Sequence, residues 1–251
     1  MKTTIYLKIT LFSLFALIQQ NAFAVIYDAY VCGQSTTVTL TTNVTLNNET
    51  TDVIKWFQVV GGVATPVKTG SHTDRSFTTP TAVTLGEGAH IYRAQVLSAN
   101  PQACEGEVSD NYDIYVLPFT LTVTLSQDAN TSWCQTATTN NTSAITATAA
   151  PTGNTFALPE DVGYSFTWDV TKGGTAVTPG SSVDGTTPFT TSVYTVTTTT
   201  PGLYSAKASV SYKVPAGTTL LSGGNASCTV TSSAKTVEVI ATPNKPTISI
   251  M

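Results

Sequence analysis

Few side chains in this sequence could do chemistry, and they are scattered. His72 and His90 are the only imidazoles in 251 residues. Nucleophilic catalysis would need one of them beside a Ser, Thr or Cys and oriented by a carboxylate. His72 lies in the polar run Gly70-Ser71-His72-Thr73-Asp74, which reads as a loop, and His90 sits two residues before Tyr92, which reads as a strand edge. Neither position assembles a triad, so no catalytic residue is expected. Carboxylates concentrate only at Glu105, Glu107 and Asp110, with Asp113 just beyond. A glycoside-cleaving pair would have to face one cleft at roughly 5 to 10 Å. In a hairpin these acids read as solubilising charge, with a weak Ca2+ site as the alternative. The four cysteines, Cys32, Cys104, Cys134 and Cys228, are too far apart for a Cys-x-x-Cys clip, so neither a metal nor a cofactor is expected. No glycine-rich loop links a strand to a helix as a phosphate cradle would. Trp133, directly before Cys134, lies outside any core alternation and is the candidate platform for stacking a sugar; packing against a disulfide is the competing reading.

The elements that must position these residues are strands. Hydrophobic residues make up 41% of the chain, charged ones only 10%, and 50 residues are Thr. Thr and Val are stiff at the first side-chain torsion and suit a pleated surface, while 17 Gly and 12 Pro supply turns. This composition excludes a coiled coil and a charged disordered tail. A formal net charge of −4 excludes a basic nucleic-acid binder. At the start, Lys2 and Lys8 precede the apolar run Ile9 to Ile18, and Ala22 and Ala24 suit a signal peptidase. Residues 1–24 therefore read as a cleaved secretory signal. The run is too short to span a bilayer, which takes roughly 20 apolar residues, so the mature chain is expected to be secreted or on the cell surface and not membrane-spanning. Losing Lys2 and Lys8 takes the net charge from −4 to −6. An even number of cysteines in an oxidising compartment points to two disulfides, with three connectivities open.

Landmarks recur in the two halves. Cys32, Trp56, Tyr92 and Cys104 are answered by Cys134, Trp168, Tyr204 and Cys228, with a Trp-to-Tyr separation of 36 in each copy. Differences between the copies are insertions, the largest between Tyr204 and Cys228, where Pro215-Ala216-Gly217 and Gly223-Gly224 read as an enlarged hairpin tip. Period-two alternation places Tyr164, Phe166, Trp168 and Val170 on one face, and likewise Tyr204, Ala206, Ala208 and Val210. Val38 and Leu40 alternate with Thr, and Tyr112, Ile114 and Val116 alternate with Asp113 and Tyr115. Each strand is thus expected to have one buried and one wet face. Trp56, Trp168, Tyr92 and Tyr204 are expected to be structural core, with each Tyr at the start of a strand where its hydroxyl can tie down the preceding turn.

Cys before the first core strand, Trp on the next, a Tyr after a Gly-containing turn, and Cys beyond that strand together resemble the immunoglobulin-like or PKD-like repeats of Bacteroidetes secreted and surface proteins. The resemblance implies an all-β chain of two tandem antiparallel β-sandwich domains, 25–117 and 118–242. Residues 243–251 would be a linker or the start of a further module. It differs from antibody domains in placing the Cys well after the Tyr. Pairs Cys32–Cys104 and Cys134–Cys228 would accordingly staple the ends of the two sandwiches, each within one copy.

Between the copies, Tyr115-Val116-Leu117-Pro118 runs directly into Phe119, with no Gly or Ser spacer. This predicts a short, stiff elbow between two beads. The C-terminal stub, strand-like at Thr247-Ile248-Ser249-Ile250, is open to three readings: an exposed edge, an incomplete module, or a strand for self-association with another chain. Asn-x-Ser/Thr triplets at Asn43, Asn48, Asn130, Asn140, Asn141 and Asn225 carry little weight in so Thr-rich a chain. The expected function is a non-enzymatic extracellular spacer or adhesion module. The alternative is a module binding an extracellular protein or polysaccharide through Trp133 or the 213–227 hairpin.

Overall fold

The computed structural model describes residues 26–43, 51–98, 106, 108–152, 158–186, 189–223 and 228–248. The proposed signal peptide, Cys104, Glu105, Glu107, Asn48, Asn225 and the last three residues lie outside these. The first half of the chain forms strands β1 (Ala29–Val31), β2 (Thr39–Thr41), β3 (Val53–Val60), β4 (Val63–Gly70), β5 (Ser76–Thr78), β6 (Gly88–Leu97) and β7 (Tyr112–Val116), with one helical turn, α1 (Ala82–Leu85), between β5 and β6. The second half forms β8 (Leu121–Gln127), β9 (Ser132–Cys134), β10 (Thr142–Pro151), β11 (Gly163–Lys172), β12 (Thr175–Ala176), β13 (Gly180–Asp184), β14 (Thr191–Thr197), β15 (Gly202–Lys213), β16 (Thr219–Leu221), β17 (Thr229–Thr231) and β18 (Lys235–Ile240).

In the second half, one sheet has the order β13-β14-β10-β8 and the other β12-β11-β15-β18-β9, with β17 also on β15. Strands one, two, five and four of the sandwich thus share a sheet, and strands three, six and seven form the other, which is the immunoglobulin arrangement. In the first half, β2 and β5 form a two-stranded sheet opposite β1-β7-β6-β3-β4. Each half also lays an early strand parallel to its last one, β1 beside β7 and β9 beside β18. The protein is therefore two immunoglobulin-like β-sandwiches in tandem.

Local sequence accounts for these strands. In β15 the side chains of Tyr204, Ala206, Ala208, Val210 and Tyr212 are buried, and the residues between them are exposed or half-buried. β11 keeps Tyr164 and Val170 buried on one face, while Ser165, Thr167 and Asp169 are exposed on the other. Glycine pairs turn equivalent hairpins: Gly61-Gly62 between β3 and β4, and Gly173-Gly174 between β11 and β12. All four have positive φ, 58°, 80°, 57° and 84°. Two-residue loops of this kind match the twist of the strands they join and need residues that tolerate the left-handed region.

Three cores result. One lies inside the first sandwich around Trp56, Phe77 and Tyr92, with Trp56 and Phe77 stacked at 5.9 Å. A second lies inside the other sandwich around Trp133, Tyr194 and Tyr204. The third includes Tyr30, Tyr115 and Leu117 from the first half with Leu121, Tyr164, Val210 and Tyr212 from the second. That shared core corrects the expectation of one wet face per strand. All three residues of β1 are buried, and Tyr115, the supposed outward residue of β7, is 5% exposed. The second sandwich covers the face that water was expected to cover. The junction itself is packed. Leu117 is fully buried, the Tyr212 hydroxyl donates to the Pro118 carbonyl at 3.0 Å, and the Phe119 amide donates to Glu87 Oε1 at 2.9 Å.

Candidate functional site

The most constructed region is the join between the sandwiches. After β15 the chain forms the insertion that distinguishes the second copy from the first, and this insertion does not project into solvent. Its strand β16 adds parallel to β1, pairing Ala29 with Thr219, Tyr30 with Leu220 and Val31 with Leu221. One sheet thus runs β16-β1-β7-β6-β3-β4, built from both halves of the chain. β1 is a central strand, hydrogen-bonded on both sides, and the Cys32 amide continues the ladder to Leu221 O at 2.9 Å.

A disulfide closes this clasp. Cys32 is bonded to Cys228, with Cα atoms 5.8 Å apart and a sequence separation of 196. The expected pairs within each copy, Cys32–Cys104 and Cys134–Cys228, are therefore incorrect. Cys32 ends a strand that lies against the second copy's insertion, so its nearest half-cystine is the one that ends that insertion. Both half-cystines are buried, at 1% and 6% exposure. Cys134, on an outer strand of the second sandwich, is an exposed thiol with no disulfide partner among the described residues. Its sulfur lies 3.2 Å from Thr136 Oγ1 and 3.6 Å from Thr242 Oγ1, and these hydrogen bonds, Thr136's foremost, lower its pKa to about 7.

Aromatic rings fill the space beneath the clasp. Tyr27 meets Tyr115 and Tyr30 edge-on, with centroids 4.9 and 5.7 Å apart. Burial, followed by the Asp161 charge, pushes the Tyr30 phenol up to about 12.

Trp133 is not a ligand platform. It is 6% exposed, belongs to the core of the second sandwich, and donates Nε1–H to the carbonyl of Thr198 at 3.1 Å. On three-residue β9, beside Val239 of β18, it points inward although Cys134 next to it points out. Within the 213–227 insertion, the other candidate contact, β16 is taken up by its pairing with β1. Trp168 is half-buried, with Nε1–H donated to Ser192 Oγ at 3.0 Å and its ring 5.5 Å from that of Tyr194.

The two sequence repeats align differently in space. Trp56 pairs with Ala94 and Trp168 with Ala208, so the equal 36-residue spacing from Trp to Tyr does not join equivalent residues. Counting from the glycine that opens the returning strand, Gly88 or Gly202, the equivalent of Tyr204 is His90. Tyr204 donates its hydroxyl to Thr200 O at 2.8 Å, and His90 Nε2 meets Gly86 O at 2.9 Å; both bonds reach back four residues. The Tyr92 hydroxyl is buried with no partner. Sequence reasoning missed the better anchor, since Gly-Gly follows each Trp after five residues, at Gly61 and Gly173.

The remaining chemistry is sparse. His72 is half-buried in a turn. Among the described residues no group of three His, Cys, Asp or Glu could hold a metal, and no helix is long and apolar enough to cross a membrane. The amides of Asn130 and Asn141, two of the triplet asparagines, donate to the backbone carbonyls of Asn140, Thr142 and Ala137. One cleft of about 450 Å3 opens on the first sandwich between β2 and the β6–β7 edge, lined by Thr39, Thr41, Trp56, Arg93, Asn111 and Tyr112 among others.

No family model matches the chain, and no curated protein does. Solved structures that resemble it include chicken CNTN1 domains FN1–FN3, at TM-score 0.40 and 10% identity, covering 84% of this chain and 64% of that one. Others are a marsupial T cell receptor, at 0.28 and 13% over 87% and 72%, and invasin, a bacterial integrin-binding protein, at 0.28 and 17% over 87% and 39%. These overlaps are too loose to align residue with residue. The fold assignment rests on the strand order described above.

Proposed function

We infer that the chain is a non-enzymatic structural module: a stiff spacer of two immunoglobulin-like units, 25–117 and 118–242, working outside the cytoplasm. The observation that carries this reading is the clasp, in which β16 of the second unit completes the sheet of the first and Cys32–Cys228 closes it. A spacer gains directly, since flexing at the junction would break a β-ladder, expose Tyr30 and Tyr115, and strain a covalent bond. A buried disulfide also favours an oxidising compartment.

Residual dipolar couplings test the stiffness. A single alignment tensor fitting both sandwiches is the expected result; two tensors of different magnitude would mean a flexible elbow and end the spacer reading. A second reading has one observation in its favour. Tyr112, 37% exposed, lines the cleft beside Thr39, Thr41 and Asn111, the mix of aromatic face and hydroxyls that carbohydrate binders use. Titrating soluble oligosaccharides while following the amide resonances of β2 and β7 tests it, and unmoved resonances across the set would remove it.

A further inference from the structure

We propose that the Cys32–Cys228 bridge is a load bypass, which keeps the chain between the two cysteines from lengthening the module when its two ends are pulled apart. The inference deepens the spacer reading and rests on it for its biological use, although the bypass itself follows from connectivity. Tension entering at the N-terminal end passes along β1 to Cys32. There it meets the disulfide and leaves through Cys228 into β17 and β18. The chain between the two cysteines, with a separation of 196 that takes in β2 to β16, lies in a closed loop off the load path.

Ordinary tandem domains lengthen under load because each releases its whole chain as it unfolds. Here the only described segments in the load path outside the loop are 26–31 and 229–248. At roughly 3.3 to 3.6 Å per residue, stripping both would release no more than about 100 Å. The loop would add roughly 650 to 700 Å if it were free. Pairing Cys32 with Cys104 and Cys134 with Cys228 would hide each copy separately and leave the junction in the path, so the bypass depends on the bond running between the sandwiches. Burial of both sulfurs protects it, since exchange requires access to the disulfide.

Single-molecule pulling decides the matter, with handles at the two ends of residues 25–251. The oxidised protein should release no more than about 100 Å before the force rises steeply, and the same protein reduced in denaturant, or the C32S/C228S double variant, should release several hundred Å more. The reading is a contour length, so it stands even if the reduced or substituted chain does not refold. An oxidised chain that releases several hundred Å, or one whose length equals that of the reduced chain, would show that Cys32 and Cys228 do not tie the two ends together and would overturn the bypass. Neither result bears on stiffness at rest, which the dipolar couplings measure separately.

Discussion

The Tyr204 hydroxyl donates to the carbonyl of Thr200 at 2.8 Å, while the hydroxyl of Tyr92, its apparent counterpart in the first sandwich, is buried and donates to nothing. The two tyrosines should therefore respond oppositely to loss of the oxygen. Tyr204→Phe removes a made bond and strands a carbonyl, so it should cost about 0.5 to 1.5 kcal/mol. Tyr92→Phe removes an unsatisfied buried group and should be neutral or stabilising. Urea titration of both variants checks this; equal losses would mean that Tyr92 has a partner after all.

His90 takes the corner role in the first sandwich through Gly86 O. His90→Ala should destabilise by about 1 kcal/mol, and His90→Tyr, which restores a long side chain with a terminal donor, should recover part of the loss. If both variants matched the wild type in thermal unfolding, the bond to Gly86 would have no structural weight.

Much of the architecture is legible in the residues. The alternation in β11 and β15 is written in Tyr164, Phe166, Trp168 and Val170 and in Tyr204 through Val210, because a strand with one wet face must alternate. That signal fails where a second layer covers the outer face: Tyr115 looks like an exposed tyrosine and is buried by the neighbouring sandwich. The cysteine pairing fails for a related reason. Sequence order suggests bridges within a copy, but the insertion before Cys228 folds back onto β1, a long-range event with no local pattern. Trp133 reads as a surface platform rather than as core because three-residue β9 is too short to display a period.

Trp133 at its core position makes a quantitative claim. Trp133→Ala should cost about 3 to 5 kcal/mol, the range for deleting a large buried aromatic. A surface sugar platform would lose almost nothing. Chemical denaturation distinguishes the two, and a change below about 1 kcal/mol would return Trp133 to the surface.

High pH should loosen the fold. Burial pushes the phenols of Tyr92 and Tyr164 up to about 12, against an ordinary value of 10.0. The folded state holds the neutral form, so this contribution is complete below about pH 10 and is lost as pH rises from 10 through 12. Tyrosinate absorbance should therefore appear in two stages, exposed rings first, with circular dichroism lost alongside the second. Every phenol titrating near 10 with the fold intact would contradict the burial of these rings.

Cys134 offers the sharpest chemical test, because its thiol is exposed and hydrogen bonds led by Thr136 lower its pKa from 9.0 to about 7. The thiolate is the nucleophile, so alkylation by iodoacetamide should rise through pH 7, well below the range of an ordinary thiol. Thr136→Ala removes the principal hydroxyl donor and should move the midpoint upward. Peptide mapping after alkylation should recover label on Cys134 and an unlabelled, linked pair of peptides containing Cys32 and Cys228. A Cys134 that stays unlabelled at every pH would contradict the free thiol, and peptide mapping would then show whether it is bridged to Cys104 of the same chain. Such a bridge would add a second covalent tie between the halves, inside the loop that Cys32–Cys228 closes.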